Sequence, residues 1–203
     1  MTRHCRGVAR TGWALTAAIL LLAGPGPFSA ETIRPSEWAV PVRMDGAPNL
    51  HRITPDLYRS AQPSLEGFKN LKTLGIQTVI NLRDGDHDDR AIAEVGFRFA
   101  LVPLSAMHIR PEANVRILRL LGDPGRGPTL IHCQHGADRT GMITALYRMV
   151  YQRWDRAKAI EEMRKGGYGF HSIWRGLVDY LERVDVDALR RDVTEPPVTS
   201  AGS

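Results

Sequence analysis

Cysteine is scarce in this chain: 203 residues hold two, Cys5 and Cys133. So few thiols exclude a disulfide-stapled scaffold. His132, Cys133 and His135 lie close in sequence, but no fourth ligand follows at the spacing of a structural zinc site. Acidic residues are missing from residues 1–30, which carry Arg3, Arg6 and Arg10. Of the formal charge of +5, three units belong to that stretch, and the remainder holds 24 basic against 22 acidic residues. So close a balance argues against a nucleic-acid partner. No internal repeat is present. The main apolar run, residues 13–23, is shorter than the roughly 20 residues a spanning helix needs, so the mature form is expected to have no membrane span.

The acid-free stretch has a reading of its own. Three arginines, the apolar run, the break at Gly24-Pro25-Gly26-Pro27 and the small Ala30 together suit a secretory signal peptide over residues 1–30. The protein is therefore expected in the periplasm or secreted, with an uncleaved membrane anchor as the alternative. Export would remove Cys5 and leave Cys133 without an internal partner, as a lone reactive thiol. The rest, in a chain that is 43% apolar, suffices for one globular domain. Residues 31–50 are dotted with proline and read as an extended or poorly ordered lead-in, and residues 189–203 as a disordered tail.

Between these flanks, strand and helix signals alternate. Residues 53–60 read as an entry strand with a turn at Thr54-Pro55-Asp56. Ser64 is an N-cap for a helix carrying Leu65, Phe68, Leu71 and Leu74, which Gly75 ends. Residues 76–82 form a β-branched, buried strand, and a helix over residues 89–95 follows an acidic turn. Residues 97–104 are the next strand, and Pro111 opens a helix running to Leu121. A helix capped by Asp155 and a last amphipathic one over residues 173–184 complete a helical C-terminal third. The expected fold class is α/β, a central and mostly parallel sheet of about four to five strands flanked by helices.

Chemistry concentrates in Ile131-His132-Cys133-Gln134-His135-Gly136-Ala137-Asp138-Arg139-Thr140-Gly141. An apolar strand, residues 128–131, leads in and a helical run, residues 142–150, leads out. The loop therefore sits at a helix N-terminus, where unpaired N–H groups and the positive dipole end attract an anion. Gly136 lets the backbone curl into a nest. A thiol there ionises readily, and a guanidinium six positions on forks two oxygens of a phosphoryl group. Together they suit displacement at phosphorus through a phosphocysteine.

His-Cys-x5-Arg-Thr-Gly resembles the signature of the protein tyrosine and dual-specificity phosphatases. Leu57-Tyr58-Arg59-Ser60-Ala61-Gln62-Pro63 and Asn81-Leu82-Arg83 resemble further blocks of the same families, closest to exported bacterial members. The resemblance implies a dual-specificity-phosphatase-like catalytic domain over residues 51–188. It implies Cys133 as nucleophile, Arg139 as phosphate clamp and Thr140 as the hydroxyl assisting the departing thiolate. Gln134, His135, Gly136, Ala137 and Gly141 read as the surroundings of the substrate, with His135 equally open as a merely exposed residue, and His132 as supporting Cys133 from behind; the resemblance implies no metal or other cofactor. The implied substrate is phosphotyrosine, with phosphoserine and phosphothreonine beside it, on a phosphorylated envelope or sensor protein. Arg83 is open between a structural ion pair and a place beside the active site.

One part of the resembled pattern is missing. Those phosphatases take a proton-donating aspartate from a separate loop, but Ser105-Ala106-Met107-His108-Ile109-Arg110 has no carboxylate. Asp138, directly before the arginine as in myotubularin-type and Sac-type phosphatases, is the leading candidate acid. His108 and Glu112 are the mobile-loop candidates, and Asp84 and Asp86 stand behind them. Three alternatives stay open: a phosphatase of phosphoinositides, phospholipids or other small phosphate esters, a non-catalytic phosphate-binding module, and a rhodanese-type sulfur transferase.

Overall fold

The computed structural model describes residues 1–2, 34–85 and 89–195. Apart from its first two residues, the expected signal peptide lies outside them, as do Asp86 and everything after Glu195. Among the described residues, no helix is long and apolar enough to cross a membrane.

Six strands of the described residues form one sheet: β1 (Val40–Pro41), β2 (His51–Thr54), β3 (Leu57–Ser60), β4 (Thr78–Asn81), β5 (Arg98–Leu101) and β6 (Thr129–His132). Their order is β1-β2-β3-β6-β4-β5. The β3–β6, β6–β4 and β4–β5 pairs are parallel, and the first three strands form an antiparallel edge. The four strands read from the sequence become six. Thr54 to Leu57 is a turn closing a hairpin, so the single entry strand is two, and the lead-in is ordered enough to add β1.

Among the described residues, seven helices accompany the sheet: α1 (Leu65–Thr73), α2 (Asp89–Val95), α3 (Pro111–Gly122), α4 (Asp138–Tyr151), α5 (Arg156–Lys165), α6 (Arg175–Arg183) and α7 (Val186–Thr194). Alternating side chains divide them between two faces. Tyr58, Val79 and Leu130 pack with Phe68 and Leu71 of α1 and Ile92 of α2. Leu57, Ile80 and Ile131 pack with apolar residues of α3 to α7. The result is an α/β fold with one helical layer on each face.

Local signals account for several boundaries. Ser64 Oγ accepts from Gly67 N, 3.1 Å, and so caps α1. Pro111 opens α3, where its missing N–H costs nothing. Asp155 occupies the N-cap position of α5 but makes no side-chain capping bond, contrary to the sequence reading. The expected tail is corrected over residues 189–195, because α7 continues to Thr194, while the rest lies outside the described residues. Asp185 accepts from the N–H groups of Asp187 and Ala188, Leu189 is buried, and Arg119 grips the carbonyls of Asp192 and Glu195.

The centre of the sheet places the site. β6 lies between β3 and β4, all four of its residues are buried, and Ser60, His132 and Asn81 align at the strand ends. The loop 133–137 leaves this carboxyl edge and enters α4, where an α/β sheet offers a crevice.

Candidate active site

Neighbours on several elements hold the loop open from outside. Gln62 N donates to the Gln134 carbonyl (3.2 Å), Asn49 Nδ2 to that of His135 (2.9 Å) and Arg59 Nη2 to that of Gly136 (2.6 Å). In a trans peptide the N–H points opposite to its carbonyl. Three outward carbonyls therefore turn the N–H groups of His135, Gly136 and Ala137 toward the inside of the loop. Gly136 has φ +67°, and a Cβ there would sit 2.4 Å from the Ser60 carbonyl carbon, so this position demands glycine.

Cys133 is buried at 2% exposure at the root of this cup. Below the loop lies Arg59, fully buried, its guanidinium 3.7 Å over the ring of Tyr168. Burial pulls Arg59 down from its ordinary value, while Tyr168, Glu162 and Cys133 oppose that shift. A guanidinium stays charged under such conditions, so a fixed cation supports any anion in the cup. Burial also pushes the Tyr168 hydroxyl up to about 12.

Arg139 is half-buried, and its Nη1 donates to the carbonyls of Leu82 and Leu104, both at 3.3 Å. These two bonds aim the guanidinium into a pocket that it lines with Asp84, Ser105, Gln134, His135, Asp138 and His171. Thr140 Oγ1 is buried and has no hydrogen-bond partner among the described residues. Gly141 N donates to the Ala137 carbonyl and begins the helical ladder. His132 is fully buried behind the loop, its ring edge-on to Phe68. Arg83 donates to Gln62 Oε1 at 2.7 Å, which places it against the residue that bonds the loop.

Asp138 is buried too, and its partner is His171. His171 N donates to Oδ1 and His171 Nδ1 contacts Oδ2, each at 2.9 Å. His108 and Glu112 are exposed and do not line the pocket that holds Arg139. Of the two further acids, Asp84 does line it, and Asp86 lies outside the described residues. His135, Asp138 and His171 place metal-capable atoms within 4.8 Å of one another, unlike the His132, Cys133 and His135 set considered from sequence. As found, Asp138 and His171 close on each other through two hydrogen bonds. His171 carries no local sequence signal, because it follows a glycine-rich break and meets Asp138 only in the folded chain.

Comparison with known proteins fits this geometry. The model of the tyrosine phosphatase family matches residues 47–167. Dual specificity protein phosphatase TpbA of Pseudomonas aeruginosa (strain UCBPP-PA14) is 39% identical over 182 residues, 87% of this chain and 82% of the relative. A crystal structure of P. aeruginosa TpbA in complex with pTyr is 35% identical with a TM-score of 0.72, covering 80% of this chain and 99% of that one. Inositol diphosphatase DSP5 of Arabidopsis thaliana is 31% identical over 58% of this chain and 61% of its own.

Proposed function

Because the chain belongs to the tyrosine phosphatase family, we propose that it hydrolyses phosphotyrosine, and with it phosphoserine and phosphothreonine, monoesters through a phosphocysteine on Cys133. The observation that carries this reading is the cup after β6, with its outward carbonyls, buried thiol and tethered guanidinium.

A phosphoryl group entering the cup meets the inward N–H groups and the remaining N–H groups of Arg139. These donors hold its non-bridging oxygens and neutralise charge where it accumulates in the transition state. Cys133 Sγ, at the root of the cup, is the nucleophile, with the start of α4 and the buried Arg59 cation near it. This sulfur bonds to phosphorus as the bond to the leaving oxygen breaks. Water then attacks phosphorus, inorganic phosphate departs and the thiolate returns. The Thr140 hydroxyl, buried and without a partner among the described residues, takes the role of donor to that departing sulfur.

Turnover of a phosphotyrosine peptide by the full chain, compared with Cys133→Ser, tests the reading. Loss of the nucleophile should cost about 10⁶-fold in kcat, as in other nucleophilic enzymes. Unchanged hydrolysis would end it, and a wild-type protein that binds phosphate without turnover would make it a binding module.

The similarity to an inositol diphosphatase supports a second substrate class, small phosphate esters of inositol type. Against a highly charged polyphosphate stand the carboxylates of Asp84 and Asp138 at the pocket. Competition between a phosphotyrosine peptide and an inositol pyrophosphate would separate the two.

The proposed setting is the periplasm or the exterior, with an envelope or sensor protein as substrate, supported by the arginine-flanked apolar leader and the lone mature thiol. N-terminal sequencing of the mature protein from fractionated cells tests this; an intact leader in the cytoplasm would contradict it.

A further inference from the structure

The reaction needs a proton for the leaving oxygen and a base for the water, and residues 105–110 provide no carboxylate. We propose that His171, held by Asp138, is the acid–base catalyst of this site. This rests on the phosphatase reading above.

Among the described residues, four ionisable ones other than Arg139 line the pocket: Asp84, His135, Asp138 and His171. Asp138 has both oxygens turned to His171 and is 8% exposed, so its carboxylate serves to hold that histidine. Asp84 is exposed. His135 is exposed and meets His171 ring to ring, 5.3 Å between centroids. His171 alone among the four has its ring oriented by a buried carboxylate, which engages its main-chain N–H and its Nδ1 together. That clamp assigns the Nδ1 hydrogen to Asp138 and leaves Nε2 to exchange protons at the pocket. A buried carboxylate also compensates the positive charge of an imidazolium, as in other carboxylate–histidine pairs.

The segment bearing His171 is coupled to the phosphate cup by more than this pair. Asn49 Nδ2 donates to the carbonyl of His135 and to that of Tyr168, both at 2.9 Å, so one amide ties both. Asp138 directly precedes Arg139 on α4, so a phosphoryl group on Arg139 brings its leaving oxygen to the mouth that His171 borders.

The protons balance. Imidazolium gives its Nε2 proton to the leaving oxygen as sulfur displaces it. The neutral ring then takes a proton from the attacking water while the sulfur–phosphorus bond breaks, and imidazolium is restored. His171 is thus a catalytic residue, and Asp138 a positioning residue acting through it.

The test compares kcat/KM of the full chain, in EDTA, on phenyl phosphate and on p-nitrophenyl phosphate, whose leaving group needs little protonation. His171→Asn should lose about 10²-fold or more on phenyl phosphate and far less on p-nitrophenyl phosphate. Vanadate binding should be unchanged, and imidazole should restore part of the activity of His171→Ala. Asp138→Asn should show the same leaving-group dependence at smaller size. Equal losses on both esters, no loss, or the leaving-group signature in Asp84→Asn instead would overturn the proposal. The charged groups facing His171 are Asp138, His135, Asp84 and Arg139, so each ester is run across pH to show that the difference between variants persists. Turnover that survives Cys133→Ser would overturn the phosphatase reading and this proposal with it, whereas failure at His171 alone leaves the phosphatase reading standing.

Discussion

Residues 105–110 and residues 166–174 both contribute walls to the pocket beside Arg139, and they are held in different ways. In the first segment the bonds are local: Ser105 Oγ accepts from Met107 N and His108 N, and Arg110 reaches back to the Pro103 carbonyl. Met107 and His108 stand exposed. The second is fastened to distant parts of the chain. Tyr168 packs under Arg59 and donates to Glu162, Asn49 grips its carbonyl, and His171 closes on Asp138. A segment that bonds mainly to itself can open without disturbing the cup, whereas one staked to the cup stays in register with it. A proton donor gains from the second arrangement, since misplacement by about 1 Å can cost as much as 10²-fold.

The largest effect on stability should come from the stake itself. Glu162, 1% exposed, accepts from Arg148 Nε and Nη2, Ala39 N and Tyr168 Oη. Glu162→Ala leaves a buried guanidinium uncompensated, and urea unfolding should show a loss of about 3–5 kcal/mol. The exposed Lys165–Glu161 pair provides the control, at roughly 0.2–1 kcal/mol. If both cost the same, the second segment is not anchored as described.

A smaller effect follows from His51, which lies edge-on to Tyr168 at 4.7 Å. Burial lowers its native titration below the ordinary 6.5, aided by Arg59 and Arg34 and opposed by a bond to the Asn49 carbonyl. Below 6.5 the unfolded chain therefore binds more protons than the native one. Stability should fall as pH drops from 6.5 through the lowered native value, and His51→Gln should flatten that slope in thermal melts. An unchanged slope would remove His51 from the account.

The smallest effects belong to the first segment. His108→Ala and Glu112→Gln should keep kcat/KM on phenyl phosphate within about twofold, since neither lines the pocket. A large loss in either would transfer the proton donor to that segment and reverse the comparison.

How much of this was legible beforehand depended on whether its physics was local. Cys133, Gly136 and Arg139 declare themselves because a turn glycine and two charge-handling groups must fall at fixed offsets around one anion. Ser64 and Pro111 are legible for the same reason, as caps read within one helical turn. Arg59 stands within a family-like block, but its burial beneath the loop depends on strand pairing and on Tyr168, far along the chain. Asp138 could be singled out as chemically apt, yet its partner lies 33 residues away, beyond any local pattern. The continuation of α7 was hidden likewise: its Asp185 cap is local, but the Arg119 grip on its last turn is tertiary.

The account depends most on a covalent bond between Cys133 and phosphorus. Rapid quenching of wild-type protein during turnover of a phosphotyrosine peptide, followed by peptide mass spectrometry, examines that bond directly. A phosphoryl group on Cys133 that disappears once substrate is exhausted is the result expected. Steady turnover with Cys133 never modified, or with the phosphoryl group on another residue, would contradict it.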